Sequence, residues 1–266
     1  MKDLSFGQYY PAVSFVHKMD ARIKILLSIA YIVAVFLCSS NYLGFGLCLV
    51  FILITCILSK VSFFRVLKSI KSVVFFIMIS AILQLLLNKS GTPLWEGGFI
   101  TDQGVKNAIY IVLRITLIIL GSSLLTITTS PVEIADGIES LLLPLKLVKF
   151  PVHEFALIMS IALRFIPTLM EETDKIIKAQ KARGAEFGKG GLIKRAKALI
   201  PVLIPLLVGS FRRADELADA MDSRCYAGSK KRTKYKKQTL SYRDVLAVIS
   251  VAGLIVGIVF INGVVL

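Results

Sequence analysis

The sequence predicts an all-α, polytopic membrane protein of about five transmembrane helices, with a domain of long helices at the cytoplasmic face. Three observations predict it. The 266 residues are 56% hydrophobic and only 18% charged, with a mean hydropathy of +0.76, whereas soluble domains carry roughly 25% charged residues. Residues 43–58 and 246–266 contain no charge at all, and apolar runs of about 17–25 residues are the length that crosses a bilayer as a helix. The net charge of +15 is sorted by loop, as the excess of Lys and Arg on the cytoplasmic side requires.

Five spans follow in order: 23–39, 43–58, 73–87, 105–127 and 245–266. The polar segment "MKDLSFGQYYPAVSFVHKMD" lacks the basic-then-apolar layout of a secretory signal, so the first span is expected to stay in the mature chain. "VFLC" has bulky Leu37 where a lipoprotein cleavage box has a small residue. Lys18, Arg22 and Lys24 lie around the start of span one, and Lys60, Arg65, Lys68 and Lys71 follow span two without an acid. Both regions belong inside. The loop "SSNY" is uncharged, and "KSGTPLWEGGFITDQG" is balanced and carries Trp95 at an expected interfacial depth; both belong outside. The basic run "KKRTKYKK" at 230–237 starts the last span inside. The chain is therefore expected in the cell membrane with its N-terminus cytoplasmic and its C-terminus outside.

Residues 128–239 differ in kind, which divides the chain into 1–127, 128–239 and 240–266. "SPVEIADGIESLLLPLKLV" opens as a capped helix, with Ser130 as N-cap, Pro131 at the first position and Glu133 three residues on. "PVHEFALIMSIALRFIPTLMEETDKIIKAQKARG" reads as one long helix interrupted near Pro167 and ended by Gly184. "GLIKRAKALIPVLIPLLVGSFRRADELADAMDSRCYAG" reads as another, interrupted by Pro201 and Pro205 and ended by Gly228. Both carry a long apolar stretch and finish charged. Counting 153–170 and 198–211 as two further spans would preserve the topology. Against that, Arg164 sits mid-segment, both stretches hold proline, and a charge at the bilayer centre costs about 3 kcal/mol. Long helices at or near the inner face are expected instead.

Several functions are excluded. Asp and Glu are absent from all five spans, and Gln84 and Arg114 are the polar exceptions away from the span ends, so no ion pathway or proton relay can be drawn. "KAQKARGAEFGKGG" resembles a phosphate loop but places three residues between Gly184 and Gly188-Lys189 and ends in Gly190, not Ser or Thr. His17 and His153 sit in no catalytic arrangement, and the pair Glu171-Glu172 reads as a solvated helix face. Cys38, Cys48, Cys56 and Cys225 lack metal-site spacing and behave as small hydrophobes in or beside the spans. No catalytic residue, cofactor, metal or nucleic-acid partner is expected; the basic run at 230–237 is explained by topology and lipid headgroups.

One pattern occurs twice. Ala182-Arg183-Gly184 and Ser223-Arg224-Cys225 place an arginine between small residues near the polar end of a long helix. Taken singly, such an arginine complements the helix dipole. Its repetition points to docking, because small neighbours let a partner approach while the planar guanidinium pairs a carboxylate through two hydrogen bonds.

These residues carry a resemblance. "SFVHKMDARIKIL", "ALRFIPTLMEE" followed by "AQKARG", and "GSFRRADELADAMDSRCY" resemble, in order, the transmembrane T component of energy-coupling factor (ECF) transporters. Met19 and Ala21 stand where the family pattern has Leu and Pro, and Cys225 where it often has Gly. The resemblance implies a non-catalytic scaffold whose coupling helices end in these arginines, Arg183 docking one ATP-binding-cassette ATPase and Arg224 the other. It further implies a small substrate-binding membrane protein (the S component) held on apolar coupling-helix surface. With the composition, it points to Phe155, Leu157, Met159 and Leu163, and to Leu199, Leu203, Leu206 and Leu207. ATP hydrolysis on the ATPases would then drive uptake of a vitamin or micronutrient. The competing expectation is a stand-alone transporter or channel.

Overall fold

The computed structural model describes residues 10, 12–38, 42–88, 92, 101–144, 151–185, 187, 191–226, 228 and 241–265. Trp95, the basic run 230–237 and most of the glycine-rich stretch after Ala185 lie outside them. The described residues form helices α1 Ala21–Leu37, α2 Tyr42–Ser59, α3 Phe63–Ile70, α4 Val74–Leu87 and α5 Asp102–Thr128. They continue with α6 Pro131–Leu141, α7 Val152–Ala182, α8 Leu192–Ser223 and α9 Tyr242–Val265. Two compact units result: Met1–Leu141 with Lys237–Leu266, and Leu142–Lys236. α6 thus belongs to the first unit.

The first unit packs around α5, which contacts α1, α2, α3 and α4. Its core repeats at helical spacing: Tyr31, Ala34, Val35 and Cys38 on α1; Phe45, Cys48, Ile52 and Cys56 on α2; Leu117, Leu120, Leu124 and Ile127 on α5; Leu254 and Ile258 on α9. Ala and Cys recur on the seams because lipid is as apolar as Leu, so helices associate by close contact between small residues and by interhelical hydrogen bonds. Gly121 shows how close: a Cβ there would fall 2.4 Å from the Tyr31 ring. Ser69 and Ser123 hydroxyls meet at 2.6 Å between α3 and α5. Large apolar side chains such as Ile57, Phe75, Leu87 and Phe260 point outward, as a lipid-facing surface demands.

α1 is held at both ends. At its start, Asp20 caps the helix by accepting the Arg22 N–H at 3.0 Å. Asp244 of α9, buried, accepts the Asp20 N–H at 3.0 Å and the Ser241 N–H at 2.8 Å. Lys24 donates to the carbonyls of His17 and Thr128 and to Thr129 Oγ1 at 3.2–3.3 Å, closing the C-terminal end of α5. At the far end of α1, Arg114 of α5 donates to the Cys38 carbonyl at 3.0 Å. Asn262 of α9 donates to the Leu37 carbonyl at 2.7 Å. Arg114, anomalous in sequence, is thus a cap for orphaned helix carbonyls.

Apolar helices lie at all five expected positions, and this is a multi-pass membrane protein. Three of them, over Tyr42–Ser59, Asp102–Thr128 and Tyr242–Gly263, are long and apolar enough to cross a bilayer alone. α1 has 17 residues and α4 has 14, α4 being preceded by α3 at a 59° bend. α3 itself is a correction, because counting charges makes it a basic loop. Phe63, Val66, Leu67 and Ile70, spaced i, i+3, i+4, i+7, pack into or against the core, leaving Phe64, Lys68 and Lys71 outward.

The capped start of α6 forms as its sequence requires: the Glu133 N–H donates to Ser130 Oγ at 3.3 Å and Glu133 Oε2 accepts the Ser130 N–H at 3.1 Å. The prolines are a second correction. Pro167, Pro201 and Pro205 lie inside α7 and α8 without interrupting them. Each removes one backbone donor, but all three are exposed, and the remaining hydrogen bonds carry helices of 31 and 32 residues through.

Candidate functional site

The second unit is built from α7 and α8, which pack on one another. α8 turns Val202, Leu206, Gly209 and Arg213, spaced i, i+4, i+7, i+11, to one side. Arg213 pairs with Glu172 of α7 at 2.5 Å, the two side chains 28% and 30% exposed. A Cβ on Gly209 would stand 3.4 Å from Glu172 Oε1, so the small residue admits this carboxylate to the seam. The opposite side of α8 presents Ile200, Leu203, Ile204, Leu207, Val208 and Phe211, all exposed. Of the apolar candidates, Phe155, Leu199, Leu203 and Leu207 are therefore exposed, Leu206 is half-buried on the seam side, and Leu157, Met159 and Leu163 are half-buried.

The last carbonyls of a helix have no partner within it, and both long helices solve this identically. At the end of α7, Arg183 is the C-cap residue, with φ −85° and ψ 8°. Gly184 follows at φ +88°. The Gly184 N–H donates to the Lys181 carbonyl at 3.0 Å and the Ala185 N–H to the Gln180 carbonyl at 2.9 Å. At the end of α8, Arg224 is the C-cap at φ −94° and ψ 14°, and Cys225 follows at φ +55°. The Cys225 N–H donates to the Asp222 carbonyl at 2.9 Å and the Tyr226 N–H to the Met221 carbonyl at 3.1 Å. This paired hydrogen bonding around a left-handed residue is the Schellman turn.

Each three-residue pattern is thus last helical residue, C-cap arginine, left-handed residue. Ala182, Arg183, Gly184, Ser223, Arg224 and Cys225 are all exposed. Neither guanidinium has a hydrogen bond or ion pair with a described residue. Nothing lies within 4 Å of where a Gly184 Cβ would stand, so within this chain the glycine answers a backbone angle, not a shortage of space. Cys225 takes the same angle with a side chain. Nothing in its residue type signals this, whereas Gly after a polar helix end is a recognised stop.

The surroundings of the two arginines differ in sign. Lys175, Lys178 and Lys181 precede Arg183, whereas Asp215, Glu216, Asp219 and Asp222 precede Arg224, all of them exposed. Among the described residues no three of His, Cys, Asp and Glu gather as metal ligands. The arrangement offers two exposed cations at helix tips beside apolar helix surface.

Comparison with known proteins identifies relatives over nearly the whole chain. Residues 12–235 match the cobalt transport protein (CbiQ) family. The chain is 48% identical over 250 residues to the energy-coupling factor transporter transmembrane protein EcfT of Clostridium kluyveri, covering 93% of this chain and 92% of that one. It is 49% identical over 259 residues to the EcfT of Brevibacillus brevis, with 96% and 97% coverage. The EcfT of Bacillus subtilis is 42% identical over 252 residues, with 94% and 95% coverage.

Proposed function

The chain belongs to the CbiQ/EcfT family of energy-coupling factor transporter transmembrane proteins, and from that premise we propose that it is the non-catalytic scaffold of an ATP-driven importer. Two ATP-binding-cassette ATPase subunits dock on the tips of α7 and α8, one taking Arg183 and the other Arg224. A separate substrate-binding membrane protein seats on apolar coupling-helix surface at Phe155, Leu157, Met159, Leu163, Leu199, Leu203, Leu206 and Leu207, and releases a vitamin or micronutrient inward. The N-terminus is cytoplasmic and the C-terminus outside. Residues 1–127 and 240–266 supply the membrane part and 128–239 the coupling part, of which α6 packs within the first compact unit.

The observation that carries the reading is the identity of the two helix ends: two exposed C-cap arginines, each followed by a left-handed residue. A dipole-complementing arginine needs no such repetition, and its removal changes little, a few tenths of a kcal/mol. A docked arginine pairs a carboxylate that is left buried and uncompensated when the arginine is lost, at a cost of about 2–5 kcal/mol.

The test is a detergent pull-down of tagged wild type, Arg183→Ala, Arg224→Ala and the double variant, each co-expressed with the cell's own ATP-binding-cassette subunits. Wild type retains two ATPase chains, each single variant loses affinity, and the double variant retains none. Failure of any ATPase to copurify with wild type overturns the scaffold reading.

A further inference from the structure

The residue after each arginine decides where that arginine points. A helix that meets a left-handed residue stops there, and its C-cap side chain is left at the tip. Without the left-handed step the helix runs on, and the same arginine becomes one more side chain on the wall. The sequence past Gly184 continues Ala185-Glu186, two good helix formers, so the φ of +88° at Gly184, not the next two residues, ends α7 at Arg183.

We propose that Gly184 and Cys225 are positioning residues that hold Arg183 and Arg224 at the helix tips, and that the two ends are unequal because only one of them is glycine. This rests on the reading of both arginines as ATPase-docking residues. Glycine adopts positive φ freely. An ordinary side chain there meets the adjacent carbonyl and is disfavoured. Cys225 sits at φ +55°, in an exposed final turn, where helix ends fray most readily. The Schellman turn at α8 is therefore open for a larger fraction of the time than the one at α7, and apparent affinity falls with the competent fraction.

The inference concerns backbone angle, so its signature is a rank order by left-handed tolerance, not by size. In the Arg224→Ala background, where only the α7 tip docks, Gly184→Ala weakens ATPase binding by up to about fivefold and Gly184→Val by more. Fivefold corresponds to about 1 kcal/mol, the lower end of the left-handed cost for an L-residue. Gly184→Asn, larger than Ala but tolerant of positive φ, binds more tightly than Gly184→Ala. In the Arg183→Ala background, Cys225→Gly strengthens binding by a comparable factor.

The experiment titrates purified ATPase subunits from the same cell onto each variant in detergent, with thermal unfolding of the variants alone as the check on folding. The order Gly, Asn, Ala, Val at 184, with a gain at Cys225→Gly, bears the inference out. If each single arginine variant loses affinity and the double variant binds none, while Gly184→Ala and Cys225→Gly match their backgrounds, docking stands and positioning is overturned. If the Arg183→Ala/Arg224→Ala double variant binds ATPase as wild type does, the docking reading fails and the positioning role with it.

Discussion

Asp244 Oδ1 accepts the backbone N–H of Asp20 at 3.0 Å across 224 residues of sequence. Its other oxygen takes the Ser241 N–H at 2.8 Å, so one buried carboxylate fastens the starts of the first and last spans together. Asp244→Ala leaves two backbone donors without partners at a site only 2% exposed. A loss of about 2–6 kcal/mol follows at about 1–3 kcal/mol for each orphaned group. Thermal unfolding in detergent reads it, and an unchanged midpoint would sink the idea that this carboxylate holds the bundle.

The Tyr31 ring lies over Gly121, where even a methyl group would come within 2.4 Å. Gly121→Ala forces α1 and α5 apart, with an expected destabilisation of about 1–3 kcal/mol for an overpacked core. Tyr31→Leu in the same chain relieves the clash. The double variant should therefore be more stable than the sum of the two single losses predicts.

His17 lies between Ser14 Oγ, 2.7 Å from Nδ1, and the Tyr10 carbonyl, 3.1 Å from Nε2. The carbonyl can only accept, so Nε2 carries the proton and Nδ1 accepts from Ser14 in the neutral ring. Burial first, and then the charge of Lys24, pushes the His17 pKa below its ordinary 6.5, against the opposing pull of the Tyr10 carbonyl and Glu133. A lowered pKa in the folded chain means the unfolded chain takes up its proton first as pH falls. This contribution is complete above 6.5 and is lost as pH drops from there towards the folded value. Unfolding midpoints compared at neutral and mildly acid pH should fall with acid in wild type and fall less in His17→Gln.

Cys225 is exposed, whereas Cys38, Cys48 and Cys56 are buried. A maleimide should therefore label the folded chain at position 225 alone, and Cys225→Ser should abolish labelling. If the tip of α8 docks an ATPase, bound ATPase slows that reaction by an order of magnitude or so. Equal rates with and without ATPase would count against docking at Arg224.

Much of the fold was legible in the sequence because membrane spans are written as uninterrupted apolar length, and the capping box of α6 as three residues at fixed spacing. The amphipathic α3 is hard to read from sequence because its basic residues resemble loop charge and mask the period of Phe63, Val66, Leu67 and Ile70. The prolines misled in the opposite direction, since a single missing donor does not end a helix of more than 30 residues.

By itself the sequence determined that the chain is a membrane protein, that its Gly184–Gly190 stretch lacks the spacing of a phosphate loop, and that two arginines with small neighbours stand near the ends of two long helices. These follow from hydrophobicity and spacing, which are local properties of a chain. Only the tertiary structure decided which backbone groups Lys24, Arg114, Asp244 and Asn262 satisfy, because those partners lie 76–225 residues away or are offered by several elements at once. It also decided that Arg183 and Arg224 occupy the same position in the same turn. That equivalence rests on φ at the following residue, and a backbone angle held by cysteine in one place and glycine in the other has no single letter to announce it.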